Sequence, residues 1–138
     1  MQPLLIPISD DILMTSLPND LEIDVTLLEG MAKMEGFGKP GTRPTINNNP
    51  GDLEYGQFAI NHGATGTDGR FAIFPDVTTG YAAMKALLQE HYGGMTLQQA
   101  LDIYAPPIEN NDNLYLKDVC SFVGCKPTDN IDQLLEES

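Results

Sequence analysis

Apolar residues recur along much of the chain at the three-to-four-residue interval of a helix packed on one side. The first such run spans Asp24 to about Met34, with Val25, Leu28 and Ala32 on one stripe and Asp24 as its N-cap. A second begins near Thr78 or Thr79 and runs through GYAAMKALLQEHYG. A third starts at Thr96, where Gln99 three residues on completes a capping box, and stops before Pro106. A fourth covers about Asp112 to Val123, with Tyr115, Val119 and Phe122 on one stripe, and a short one covers about Asn130 to Glu136. DLEYGQFAI and GRFAIFP predict two short strands, and the Asn and Gly of NHGATGTDG turn the chain between them, with a hairpin signal at Asp68-Gly69. Residues 36 to 51, rich in Gly, Pro, Asn and Thr, predict a loop. Residues 1–23 hold three prolines and mix apolar with acidic residues, which predicts an N-terminal arm on a single domain of residues 24–138. The fold class expected is mainly α (α+β), a helical domain with one small β-hairpin inserted after the first helix.

One residue breaks the first stripe. The position after Ala32 on that face is Glu35, a carboxylate where a core side chain is due. A carboxyl group facing inward is desolvated, and the negative end of the helix dipole acts in the same direction, so its pKa rises. An acid still protonated near neutral pH can protonate a glycosidic oxygen, the general-acid step of sugar cleavage. The competing reading is an ion pair with Lys39 or Arg43 at the helix end.

Charge and composition narrow the field. Seven basic residues against twenty acidic ones give a net charge of −13, which disfavours nucleic acid and unaided adhesion to anionic cell envelopes. No stretch approaches eighteen apolar residues, so no membrane span is expected, and the acidic N-terminus does not read as a secretory signal. There is no serine elbow, phosphate loop or zinc spacing, so neither cofactor nor metal is expected. His62 and His91 stand apart in sequence and read as structural, His91 favourably placed near a helix C-terminus. In CSFVGC, a left-handed Gly124 would bring Cys120 and Cys125 together at a helix end, as a disulfide or as two small hydrophobes.

The segments AKMEGF…RPTINNNPGDLEYG, GRFAIFPDVTTGYAAM, YAPPIENNDNLYLKDVC and VGCKPTDNIDQLL resemble a family of short phage-encoded, lysozyme-like or lytic transglycosylase-like proteins, often labelled virion structural proteins. The resemblance covers about residues 25 to 136 and rests on order and spacing. It implies a lysozyme-like fold and cleavage of peptidoglycan glycan strands, of the lytic transglycosylase or muramidase/glucosaminidase type, with Glu35 as general acid. It further implies that Asn48 and Asn49 bind N-acetyl groups or hold the loop, and that Tyr104 and Tyr115 line the substrate site. Phe71 and Phe74 match an aromatic strand, with core packing as their simpler role. The family's GLMQ-type segment is absent, and no acid occurs in the nine residues after Glu35; Asp52 and Glu54 come next. A single well-placed carboxylate leaves two schemes: attack by the substrate's own N-acetyl or 6-hydroxyl group, or by a water held by Asn and Tyr. Without a signal peptide the protein is expected to be made in the cytoplasm, and the acidic surface points to action on the cell wall after delivery by a phage particle or secretion machine, or as a virion component. The alternative is a non-catalytic virion or scaffold protein that keeps the fold.

Overall fold

The structure is a computed structural model that describes residues 25–107 and 113–138. The N-terminal arm, Asp24 and Asp112 lie outside the described residues. Among the described residues, seven helices and one two-stranded antiparallel sheet follow in the order α1 (Leu27–Met34), α2 (Arg43–Ile46), α3 (Gln57–Asn61), β1 (Gly66–Thr67), β2 (Ala72–Ile73), α4 (Val77–Tyr92), α5 (Leu97–Tyr104), α6 (Leu114–Val123) and α7 (Ile131–Glu136). The chain is mainly helical with a small sheet after the first helices, an α+β arrangement.

Helix α1 begins later than its stripe suggested. Thr26 is the N-cap, and it forms a capping box with Glu29: the Glu29 amide donates to the Thr26 hydroxyl oxygen, and the Thr26 amide donates to the Glu29 carboxylate. Val25 therefore precedes the helix and is exposed, while Leu27, Leu28, Met31 and Ala32 form the buried face. The helix ends in a Schellman motif: Gly36 takes φ 94, its amide donates to the Lys33 carbonyl, and the Phe37 amide donates to the Ala32 carbonyl. That motif fixes Glu35 as the last αR residue.

The first expected strand is corrected. Only Glu54 makes a strand-like bridge, to Phe71, and residues 57 to 61 form α3, closed by a Gln57-to-Asn61 side-chain hydrogen bond. Only Ala59 of that turn is buried. The hairpin pairs Gly66 with Ile73 and Thr67 with Ala72 instead, and Asp68 caps its turn by accepting from the Phe71 and Arg70 amides. Those donors, with the Asn47 amide, hold the Asp68 carboxyl down at about 2. A further short helix, α2, interrupts the expected loop, with a proline in its first turn.

The later helices follow the sequence more closely. Asp76 caps α4 by accepting from the Thr79 amide, Thr96 and Gln99 form the capping box of α5, and Asn113 and Asn130 cap α6 and α7. Gly124 (φ 80) closes α6 through its amide to the Cys120 carbonyl. Both cysteines are free thiols, their sulfurs 3.9 Å apart, and burial raises both, Cys125 to about 12.

Buried residues from α1, α4, α5, α6 and α7 share one core with Phe74 and Ala72 of the hairpin. Helix α1 packs against α6 at Gly30, where a Cβ would lie 2.6 Å from the Val123 Cγ2. A side chain at this position would require Val123 to move.

Candidate functional site

Glu35 is half-buried, and two tyrosines from separate helices point their hydroxyls at it. The Tyr115 hydroxyl of α6 donates to the Glu35 Oε2 at 2.9 Å, and the Tyr104 hydroxyl, at the end of α5, donates to the same oxygen at 3.4 Å. The two rings lie 5.8 Å apart, inclined by 57°. Burial drives the Glu35 pKa above the usual carboxylate range; the Tyr115 hydrogen bond opposes it, the Asp52 charge adds to it, and Tyr104 and Arg43 oppose it. Burial also lifts both phenols, and the neighbouring charges help keep them protonated as donors.

Glu35 belongs to neither of the ion pairs among the described residues. Arg43 is engaged elsewhere: its Nε donates to the Asp52 Oδ1 at 2.9 Å, its second nitrogen reaches Oδ2, and its guanidinium lies 3.7 Å over the Phe71 ring. Arg70, paired with Glu54, lies 4.9 Å over that ring. Asp52 itself takes φ 51, in the left-handed region, and its side chain is only 9% exposed. Asp52 and Arg43 thus set opposing fields on Glu35. The nearest sequence signal for this pair is Asp52 as the first acid after Glu35; its bond to Arg43 has none.

The two asparagines separate. Asn49 is fully buried: its amide donates to the Leu53 and Ala72 carbonyls at 3.0 and 2.9 Å, and its oxygen accepts from the Leu53 amide at 2.9 Å. It holds the loop, one of the two roles the resemblance implied, and it is buried away from the surface. Asn48, half-buried at φ 53, donates to the Phe74 carbonyl at 3.1 Å and contributes to the same brace. Phe74 is core, and Phe71 is buried beneath the two arginines. His62 is locked, its Nδ1 2.8 Å from the Phe58 carbonyl and its ring stacked on Phe58.

The structure therefore brings Glu35, Tyr104 and Tyr115 together and leaves Asn48 and Asn49 as supports of the adjoining loop. Among the described residues no group of three or more His, Cys, Asp and Glu could hold a metal ion, and no helix is long and apolar enough to cross a membrane. Cavities of about 370 and 400 Å³ lie beside Tyr81 and Lys85 of α4 and between α5 and α6 at Asp102 and Leu116. No protein-family model, no curated protein and no solved structure matches the chain.

Proposed function

We propose that the protein has a lysozyme-like fold and cleaves the glycan strand of peptidoglycan between N-acetylated sugars, with Glu35 as the general acid. One observation carries this reading: a half-buried glutamate at a helix end, its pKa raised by burial, oriented through one oxygen by two tyrosine hydroxyls. With Oε2 occupied as an acceptor, Oε1 is the oxygen left to carry the proton toward a leaving sugar. Tyr115 and Tyr104 orient the acid and border the substrate, and no second carboxylate is needed if the substrate's N-acetyl or 6-hydroxyl group attacks. The test is mass spectrometry of purified peptidoglycan after incubation. Glu35→Gln keeps the shape and removes the proton, so fragment release should fall on the order of a hundredfold or more. Equal release by the variant removes Glu35 from the reaction.

A second reading is a non-catalytic virion or scaffold protein that keeps the fold. It is favoured by Asn49, whose amide is spent inside the loop. It predicts no fragment release from parent or variant.

A further inference from the structure

The paired thiols at the end of α6 take no part in the Glu35 site. Cys120 lies in α6 and Cys125 just past the left-handed Gly124, with their sulfurs 3.9 Å apart. The helix end alone does not hold this contact. Residues 126–129, directly after Cys125, are tied to the start of α5: the Leu97 amide donates to the Asp129 carbonyl at 2.8 Å, and the Gln98 amide to the Pro127 carbonyl at 2.9 Å. The Lys126 amide closes the turn from within, donating to the Asp129 Oδ2 at 2.9 Å. One helix therefore presents Cys120, and a turn anchored to another presents Cys125. Both thiols are half-buried against the core, and each borders its own cavity. Cys120 lines the one of about 400 Å³ between α5 and α6, and Cys125 lines one of about 370 Å³ beside the start of α1. Each cavity is of a size that admits a small molecule.

We propose that Cys120 and Cys125 are a modification site, a dithiol that a low-molecular-weight disulfide converts to an internal disulfide joining the end of α6 to the turn anchored on α5. A disulfide holds its sulfurs about 2 Å apart, so the pair must close by roughly 2 Å, with Gly124 as the pivot between them. The reaction is thiol–disulfide exchange. Cys120 loses its proton to solvent, and its thiolate attacks one sulfur of the reagent. The reagent's S–S bond breaks, and half of it leaves as a thiolate that takes up a proton. Cys125, deprotonated in turn, attacks the Cys120 sulfur of the mixed disulfide and expels the other half. Two protein thiols are oxidised and one reagent disulfide is reduced to two thiols, with no further reactant. Burial raises both thiols, so the reduced pair gains nothing from ionising at neutral pH. Strongly oxidising disulfides are those whose reduced form is stabilised, and this pair is the opposite case. The bond is therefore a structural staple and not a donor of oxidising equivalents. It links the two helices that carry Tyr104 and Tyr115, whichever function Glu35 serves.

The test uses the full chain, reduced, freed of reductant and incubated with glutathione disulfide at about pH 8.5, where an ordinary thiol is half ionised. Samples are quenched in acid, alkylated, digested with trypsin and weighed. Both cysteines fall in the one fragment that follows Lys117, because Pro127 protects the bond after Lys126. That fragment should become lighter by two hydrogens, free of glutathione and closed to alkylation, and reductant should restore it. The melting temperature of the oxidised protein should rise by roughly 5 to 10 °C, the scale of a bond that closes a short loop. Cys125→Ser should halt at a single mixed disulfide on Cys120, with no such rise. Glutathione left on both cysteines, thiols still open to alkylation after a day, or a bond between two chains overturns the proposal. An internal disulfide that leaves the melting temperature unchanged or lower overturns the staple, as does an equal rise in Cys125→Ser.

Discussion

Tyr115→Phe removes one oxygen and leaves the ring, so it removes the 2.9 Å hydrogen bond to Glu35 together with a longer 3.5 Å contact to the Met31 carbonyl, which does not change with pH. Where Glu35 is protonated in both folded and unfolded chains, below about pH 4, the bond lost is between neutral groups and costs about 1 kcal/mol. Once Glu35 ionises, the same bond is charge-assisted, and such bonds contribute about 1.5 to 3 kcal/mol. Because the carboxylate is only half-buried, the lower end of that range applies. The sign follows from linkage. The folded pKa of Glu35 is raised, so its contribution is fully present below the unfolded pKa and is lost as pH rises through the folded one. Tyr115 opposes that rise, so its removal pushes the pKa higher still and deepens the loss. The destabilisation by Tyr115→Phe should therefore grow by about 0.5 kcal/mol or more between about pH 4 and pH 8, with Tyr104 left as the sole phenol donor. Urea melts at several pH values, beside an NMR titration of the Glu35 carboxyl carbon, measure both quantities. A destabilisation that is flat with pH, or a Glu35 pKa that falls in the variant, refutes the assigned role of the hydroxyl.

Four further outcomes follow from the same geometry. Glu35→Gln should be at least as stable as the parent at neutral pH, since it removes a carboxylate that burial penalises; a clearly lower melting temperature would count against the raised pKa. Asp52→Asn should lower the Glu35 pKa, because it removes a like charge and leaves Arg43 without its counter-ion, so the alkaline limb of any wall-lysis profile should move to lower pH; a move upward contradicts it. Asn49→Ala strands the Leu53 amide and two buried carbonyls and should cost about 3 kcal/mol or more in denaturant melts, whereas a loss below 1 kcal/mol would deny the brace. Gly30→Ala places a methyl 2.6 Å from Val123; an overpacking cost of about 1 to 3 kcal/mol, offset by about 1 from better helix propensity, leaves a net loss of up to about 2, and a gain in melting temperature would show that the helices separate freely.

The elements readable from the sequence are those whose signals are local. Thr96 with Gln99, Gly124 and Asp68-Gly69 act within a few residues, and each appears where it was expected. The Thr26–Glu29 box was equally local and marks the true start of α1, but the apolar stripe drew the boundary back to Asp24 through Val25, which proves exposed. Residues 52 to 60 misled because a short apolar run fits either period, and only Ala59 of α3 finds a buried place. The site divides in the same way. Glu35 stood out because a carboxylate interrupted a buried face. Tyr104 and Tyr115 carry no local mark of their roles; residues 69 and 80 positions away meet Glu35 only because α5 and α6 pack beside the end of α1. Asn49 looks like any loop asparagine, and its inward turn depends on carbonyls of residues 53 and 72.

A loop folded around a side chain has different kinetics from one folded around nothing. The Leu53 amide belongs to no helix or strand, yet it is buried and bonded to Asn49. The Ala72 amide, bonded back to the Leu53 carbonyl, depends on the same residue for its surroundings. In deuterated water these two protons should exchange with the slow helical set rather than with the loop amides around them, and should be released together when Asn49 is replaced. The wall beside Glu35 would then open only in a cooperative event that also frees the hairpin. A glycan bound there, as proposed, would meet a wall already ordered, at little cost in conformational entropy.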